Sequence, residues 1–277
     1  MTNKYIVATL LASISSISLA DGNPWLPVPG AIDLTFSVNQ QQADRLYEGE
    51  QRQPLEELTL DSYTLEAQYG ISENLSAAIR SGYSRSDIED PLLNPDEESG
   101  IQDTVISLTW RLLDEFIEEP GLPSVALKFA GTIAGDYDAG RITAIGDGAD
   151  GIEGSIIVGK FLTDSFAVSA DFGYRHRDTE VADERFGSLS AYYLLGSQWS
   201  FNLGYQVVDS VSGNDIEDEQ FVQTGFNLTE KDYSLLAVGA NYRVNEKFGI
   251  GLAFGDVVDG RNAPDSDVIS LSFDLSI

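Results

Sequence analysis

Apolar and polar side chains alternate one for one along most of this chain, and no other feature limits its fold as much. The pattern is cleanest between Glu57 and Asp87. There Tyr63, Leu65, Ala67 and Tyr69 alternate with Ser62, Thr64, Glu66 and Gln68. After a tight turn containing Gly70 and Asn74, Leu75, Ala77, Ile79 and Tyr83 are set against Ser76, Ala78, Arg80, Gly82 and Ser84. A period of two sends neighbours to opposite faces of a strand, so this stretch predicts a hairpin. One face is greasy and tyrosine-rimmed, and the other carries Glu66 and Arg80. That division suits lipid outside and water inside a closed sheet.

The pattern recurs. Strands are predicted over Ala31 to Gln41, Ile101 to Leu113, Val125 to Tyr137, and Ile152 to Leu162, where the run Ile156-Ile157-Val158 leaves the parity open. Phe166 to Arg177 follows, then hairpins Phe186 to Leu195 with Trp199 to Val207 and Tyr233 to Val244 with Phe248 to Val257, and a last strand from Asp267 to Ile277. The total is about twelve, an even number as in single-chain bacterial barrels. Connections near residues 70, 163, 197 and 245 are tight, whereas those at 43–57, 87–100, 138–151, 209–232 and 259–266 are longer and mostly acidic. Short periplasmic turns and long outer loops predict an all-β, antiparallel transmembrane barrel with both termini in the periplasm. A soluble two-layer sandwich would bury the same stripes but gives no reason for this segregation.

At the N-terminus, Lys4 precedes an apolar run from Tyr5 to Leu19, and Ser18-Leu19-Ala20 supplies the small residues read at a signal-peptidase site. Residues 1–20 are therefore expected to be a signal peptide and 21–30 a proline-rich lead-in with little order. Residues 31–277 are expected to form the barrel. With 45 acidic against 16 basic residues in the full chain, nucleic acid is excluded as a partner on electrostatic grounds. The chain has no Cys, which removes disulfides and thiolate metal sites. The expected location is the outer membrane of a Gram-negative bacterium. Expected partners are lipid and lipopolysaccharide, bridged to the acidic loops by divalent cations, and a small-molecule solute, the protein being a monomer.

Nine charged residues take the parity opposite to the apolar stripes and are expected to line the lumen: Glu66, Arg80, Asp103, Arg111, Lys128, Asp171, Arg175, Arg243 and Asp274. Mixed charge of this kind either edges a narrow water path or cross-links the strands and fills the barrel. Catalysis finds no support. His176 is the only histidine, and Asp178 stands two residues on, where the outer-membrane phospholipases carry a serine; the nucleophile and base needed for acyl transfer are absent. An outer-girdle position level with Tyr174 is the expected role of His176. Asp147-Gly-Ala-Asp150-Gly lacks the ligand spacing of a calcium loop, so neither metal nor cofactor is expected. Tyrosines, tryptophans and phenylalanines, Tyr137 among them, fall near strand ends on the apolar face, as interfacial belts do.

The segments GIQDTVISLTWRLL (Gly100 to Leu113), PSVALKFAGTIAGDYDAG (Pro123 to Gly140) and GDGADGIEGSIIVGK (Gly146 to Lys160) resemble, in this order, outer-membrane barrels of the phenol-degradation MetA-pathway family. The resemblance covers about residues 58 to 205. The sequence departs from it at Ile133-Ala134-Gly135, where the family carries a proline. It also ends in Ile277, where outer-membrane barrels often end in an aromatic residue. The resemblance implies a passive transporter or channel associated with aromatic compounds. The alternative is a closed structural or adhesion barrel that uses its acidic loops and transports nothing.

Overall fold

A computed structural model describes residues 22–89, 97–117, 121–139, 141–178, 181–216 and 229–277. The strands are β1 (Ile32–Glu48), β2 (Gln51–Ser72), β3 (Leu75–Ile88), β4 (Glu98–Ile101), β5 (Thr104–Leu113), β6 (Ser124–Ile133), β7 (Gly151–Thr163), β8 (Phe166–Arg177), β9 (Glu184–Leu195), β10 (Trp199–Ser210), β11 (Asp232–Arg243), β12 (Phe248–Arg261) and β13 (Pro264–Ser276). All pairings between them are antiparallel. β1 pairs with both β13 and β2, and β2 pairs with β3, so the sheet closes on itself. Because β4 and β5 both pair with β3 at different heights, they form one interrupted stave, and the barrel has twelve staves. No edge is left to pair with a neighbour, which is how a sheet survives in lipid. Among the described residues no helix is long and apolar enough to cross a membrane.

Alternation decides what each face meets. Leu65, Ile79, Leu108, Phe129, Phe172, Leu189 and Leu203 are exposed on the outside, while Ser76, Ser84, Ser190, Ser200 and Ser270 are buried within. The parity of β7 resolves as Ile156 and Val158 outward and Ile157, fully buried, inward. Tyrosines and tryptophans edge the belt, among them Tyr63, Tyr83, Trp110, Tyr174 and Trp199. Tyr137 is not one of them. β6 ends at Ile133, and Tyr137 turns toward Asp103 instead.

Two of the expected long loops are strand. β1 runs on to Glu48, β2 starts at Gln51, and Gly49-Glu50 is the turn between them; β12 and β13 meet across Asn262-Ala263. β2 reaches 22 residues, about twice the 9–11 needed to cross a bilayer. Above the belt these four strands form a wall of reversed polarity. Asp44, Glu57 and Asp267 face out, and Ala43, Leu46, Leu58, Val257 and Ala263 are buried within. Outward charge in a segment beyond the lipid hides the strand signal from a reading keyed to apolar outer faces. Asn262 ties the two tips together: its Oδ1 accepts Gly49 N (2.9 Å) and Ile216 N (3.3 Å), and its Nδ2 donates to Asp215 Oδ1 (2.9 Å) and to the Glu230 carbonyl (2.8 Å). These contacts hold the described ends of the 209–232 connection against the wall. Most of the acidic stretch from Asp87 to Glu98, and residues 217–228, lie outside the described residues.

Candidate functional site: a chambered lumen

The interior contains two large cavities that share residues. The upper one, about 420 Å³, lies within the extended wall and is lined largely by apolar groups including Leu46, Leu58, Leu60, Leu235, Val257 and Val268. The middle one, about 410 Å³, is polar. Gln41, Ile145, Gly146, Arg175, Tyr233, Leu235 and Val268 border both, so the two adjoin.

Of the nine expected lumen residues, Glu66, Arg80, Asp103 and Arg175 meet around the middle cavity. Glu66 and Arg80 stand directly opposite each other across β2 and β3. Lys128 is buried below them, 4.0 Å from Glu153, against a much smaller cavity of about 40 Å³. Asp171 is buried beside Gly22 of the N-terminal segment. Arg243 and Asp274 border a separate small cavity of about 30 Å³ at the end carrying the short turns, where Thr35 Oγ1 donates to Asp274 Oδ1 at 2.8 Å. Arg111 is tied at that same end to Asp114 (2.9 Å) and to the Glu73 carbonyl (2.5 Å). The nine are therefore spread over several levels.

The parity argument left out several charges that matter here. Arg175 donates to Glu153 Oε2 (Nε, 2.9 Å) and to Glu184 Oε2 (Nη1, 2.7 Å), and Arg177 donates to Asp147 Oδ2 at 2.8 Å. Arg177 shares the parity of Arg175 and could have been named from it. Glu153 became assignable only once the face of β7 was known. Burial raises the Asp147 carboxyl, but Lys231, Arg177 and Arg175 outweigh it and hold the group below its ordinary range.

A loop closes part of the outer end. Where β4 gives way to β5, Asp103 Oδ1 accepts Gly135 N at 2.8 Å and the Tyr137 hydroxyl at 2.6 Å. The same hydroxyl accepts Gly148 N at 2.7 Å. Burial first, then the bond to Asp103, push the Tyr137 phenol well above its usual value. Gly135 passes against the Ile101 carbonyl, where a Cβ would collide. So latched, residues 141–150 carry Ile142 and Ile145 to the upper cavity. Asp147 and Asp150 serve Arg177 and Ala134 N respectively. Among the described residues no cluster of three His, Cys, Asp or Glu is arranged to hold a metal.

The opposite end has a floor. The lead-in at Asn23 to Pro29, expected to lack order, packs inside the barrel, with Trp25 1% exposed. The indole meets Phe161 edge-on at 5.1 Å and Tyr192 at 6.0 Å, and its Nε1 donates to Glu115 Oε1 at 3.0 Å. Glu115 belongs to the β5–β6 connection, whose Phe116 also packs, tilted, against Phe161 at 5.5 Å. Its other oxygen accepts Phe161 N at 2.9 Å. Gly159 leaves the space that Pro24 fills. Nothing in a proline-rich stretch announces a buried plug; the one available signal was a tryptophan outside any strand.

A family model described as "Putative MetA-pathway of phenol degradation" matches residues 38–273. The chain belongs to this family. Among solved structures it is similar to an outer membrane channel from Pseudomonas putida F1, with a TM-score of 0.73 and 14% identity over 91% of this chain and 97% of that one. It is also similar to the NanC porin (TM-score 0.57, 8% identity, 87% and 98% covered) and the KdgM porin (0.52, 7%, 87% and 99%). No curated protein matches. At these identities the structures speak for the shared barrel fold. For this member of the phenol-degradation family, chemistry must be read from its own side chains.

His176 lies on the outer face. Its Nδ1 is 2.8 Å from Asp183 Oδ1, and Tyr174 donates to Asp183 Oδ2 at 2.6 Å. Burial opposes ionisation of Asp183, but its bonds from Tyr174, Arg177 N and His176 together outweigh it and lower its pKa. The carboxylate ties the histidine to the rim between β8 and β9.

Proposed function

We propose that this protein is a passive outer-membrane channel for small solutes whose preferred cargo has an apolar or aromatic body. The observation that carries the reading is an apolar upper cavity adjoining a polar middle one, with seven bordering residues in common, inside a closed barrel. A pore for hydrated ions alone has no use for leucines and valines at its mouth, whereas an apolar pocket with a few convergent polar groups is how small molecules are held. No enzymatic step is included: His176 faces outward to Asp183, and no nucleophile stands beside it in the sequence. The working form is a monomer. Outward acids above the belt, with Asp256 and Asp267 in register, would meet lipopolysaccharide through divalent cations. Signal-peptide export through residues 1–20 belongs to the same reading.

The experiment is uptake of phenol by Gram-negative cells with intact lipopolysaccharide, with and without the protein, alongside conductance of the refolded protein in planar bilayers. Uptake several-fold faster with the protein is expected. The floor around Trp25 favours a closed barrel as the second reading, and equal uptake with no current would establish it.

A further inference from the structure

We propose that the upper cavity recognises amphipathic monoanions, namely a carboxylate on a small apolar or aromatic body, through Lys231 and Tyr233. This rests on the channel reading for its biological sense but not for its chemistry.

Lys231 directly precedes β11 and Tyr233 is its second residue, so a period of two points both side chains the same way. Both border the upper cavity. Ser210 fixes the backbone between them and the wall, donating through Oγ to the Lys231 carbonyl (2.9 Å) and accepting Lys231 N (3.0 Å). Among the described residues, neither the Lys231 ammonium nor the Tyr233 hydroxyl makes a direct hydrogen bond or an ion pair within 4 Å, although the Lys231 charge acts on Asp147 from farther off. They stand as two donors, one charged, at the border of an apolar space.

Each acidic acceptor there has one oxygen taken. The carboxylates bordering the cavity are Asp147 and Glu184; Arg177 holds the first at 2.8 Å and Arg175 the second at 2.7 Å. Arg177, which borders the middle cavity, still leaves Nε and Nη1 without an acceptor. Asn262 spends both ends of its amide on the strand tips. The Lys231 ammonium and the Tyr233 hydroxyl are thus two donors, one of them charged, that no hydrogen bond among the described residues uses, and a carboxylate satisfies an ammonium and a phenol hydroxyl together. An amine would meet the same ammonium and be repelled. A neutral alcohol would gain the apolar burial without the charged bond.

The strongly acidic exterior does not cancel this preference. Exposed charges more than about 8 Å away are largely screened at physiological salt, whereas a partly enclosed pair is not. The outer acids therefore slow the arrival of an anion more than they weaken its hold.

The test uses the full barrel in lipid nanodiscs and three probes of matched body: 4-butylbenzoate, 4-butylbenzyl alcohol and 4-butylbenzylamine. Binding is measured by calorimetry against empty nanodiscs. The carboxylate should bind at least tenfold tighter than the alcohol, and the amine weakest. In Lys231→Met with Tyr233→Phe, carboxylate affinity should fall to that of the alcohol, while alcohol affinity, which also reports that the variant is folded, stays put. Lys231→Arg should retain the preference. Equal binding of acid and alcohol by the wild type, or an undisturbed preference in the double variant, overturns the proposal. Flux of the three probes into intact cells is scored separately. Flux without head-group preference leaves the channel and removes the site. Binding preference without any flux leaves the site and removes the channel.

Discussion

Replacing Trp25 by alanine should open the floor. The indole is buried against Phe161 and Tyr192, and truncating a buried tryptophan costs about 3–5 kcal/mol. Loss of the Nε1 bond to Glu115 (3.0 Å) adds about 1 kcal/mol. The barrel itself closes through backbone pairing that does not involve residue 25, so the cost falls on docking of the segment. At about 1.4 kcal/mol per decade, the balance between docked and released segment should move by roughly three to four orders of magnitude. Single-channel recording in planar bilayers should then show larger and noisier conductance in W25A than in the wild type, with the same heat-modifiable mobility of the folded barrel on gels. Protease access to residues 22–30 supplies the second readout. If those residues become cleavable while the conductance stays at the wild-type value, the segment is not what narrows the lumen and the reasoning fails.

The loop latch and the acid side of the pH range give two further tests. Tyr137→Phe removes the hydroxyl that bonds Asp103 at 2.6 Å and Gly148 N at 2.7 Å, which should cost about 2 kcal/mol; tryptic cleavage after Arg141 should accelerate by well over tenfold, and wild-type kinetics would show that the latch lies elsewhere. Asp215, bonded to Arg261 and Asn262, has its pKa lowered from 3.8 to about 2. A depressed folded value means that the stabilisation is whole above the unfolded pKa and disappears as pH falls through about 2. Pulse proteolysis of the segment after β10 should accordingly rise between about pH 4 and pH 2 in the wild type and lose that transition in Asp215→Asn.

How far the molecule could be read in advance follows from where lipid does the selecting. In the belt, one face of each strand must be apolar, so Leu65, Ile79, Phe172 and Leu271 reveal strands, pairing parity and the inward direction of Glu66, Arg80 and Arg175 directly. Above the belt that pressure ends. Asp44, Glu57 and Asp267 are as acceptable outside as leucine is below, and the collar strands consequently look like acidic loops. Inside, parity says that a charge faces the lumen but not at which height, so Arg111, Lys128 and Asp274 could not be separated from the middle group. Trp25, Glu115 and Tyr137 act through contacts between segments remote in the chain, and no local period encodes those. Family resemblance agreed with the architecture that the alternation had already given, and supplied no residue of the site.

The reversal of polarity along the axis has an energetic consequence for any cargo. An aromatic body burying about 200 Å² gains roughly 5 kcal/mol in an apolar enclosure at about 25 cal/mol per Å². It gives that up on descending among Glu66, Arg80, Asp103 and Arg175, which border the middle cavity. The upper cavity is therefore a well, and the step out of it toward the periplasm is slower by about three to four orders of magnitude than free passage would be. A carboxylate sharpens this. On the proposal above its head deepens the well through Lys231 and Tyr233, while Arg175 below is already held by Glu153 and Glu184. Selectivity in such a barrel is thus set by which solutes the collar captures and which the middle cavity will take over, rather than by pore diameter alone.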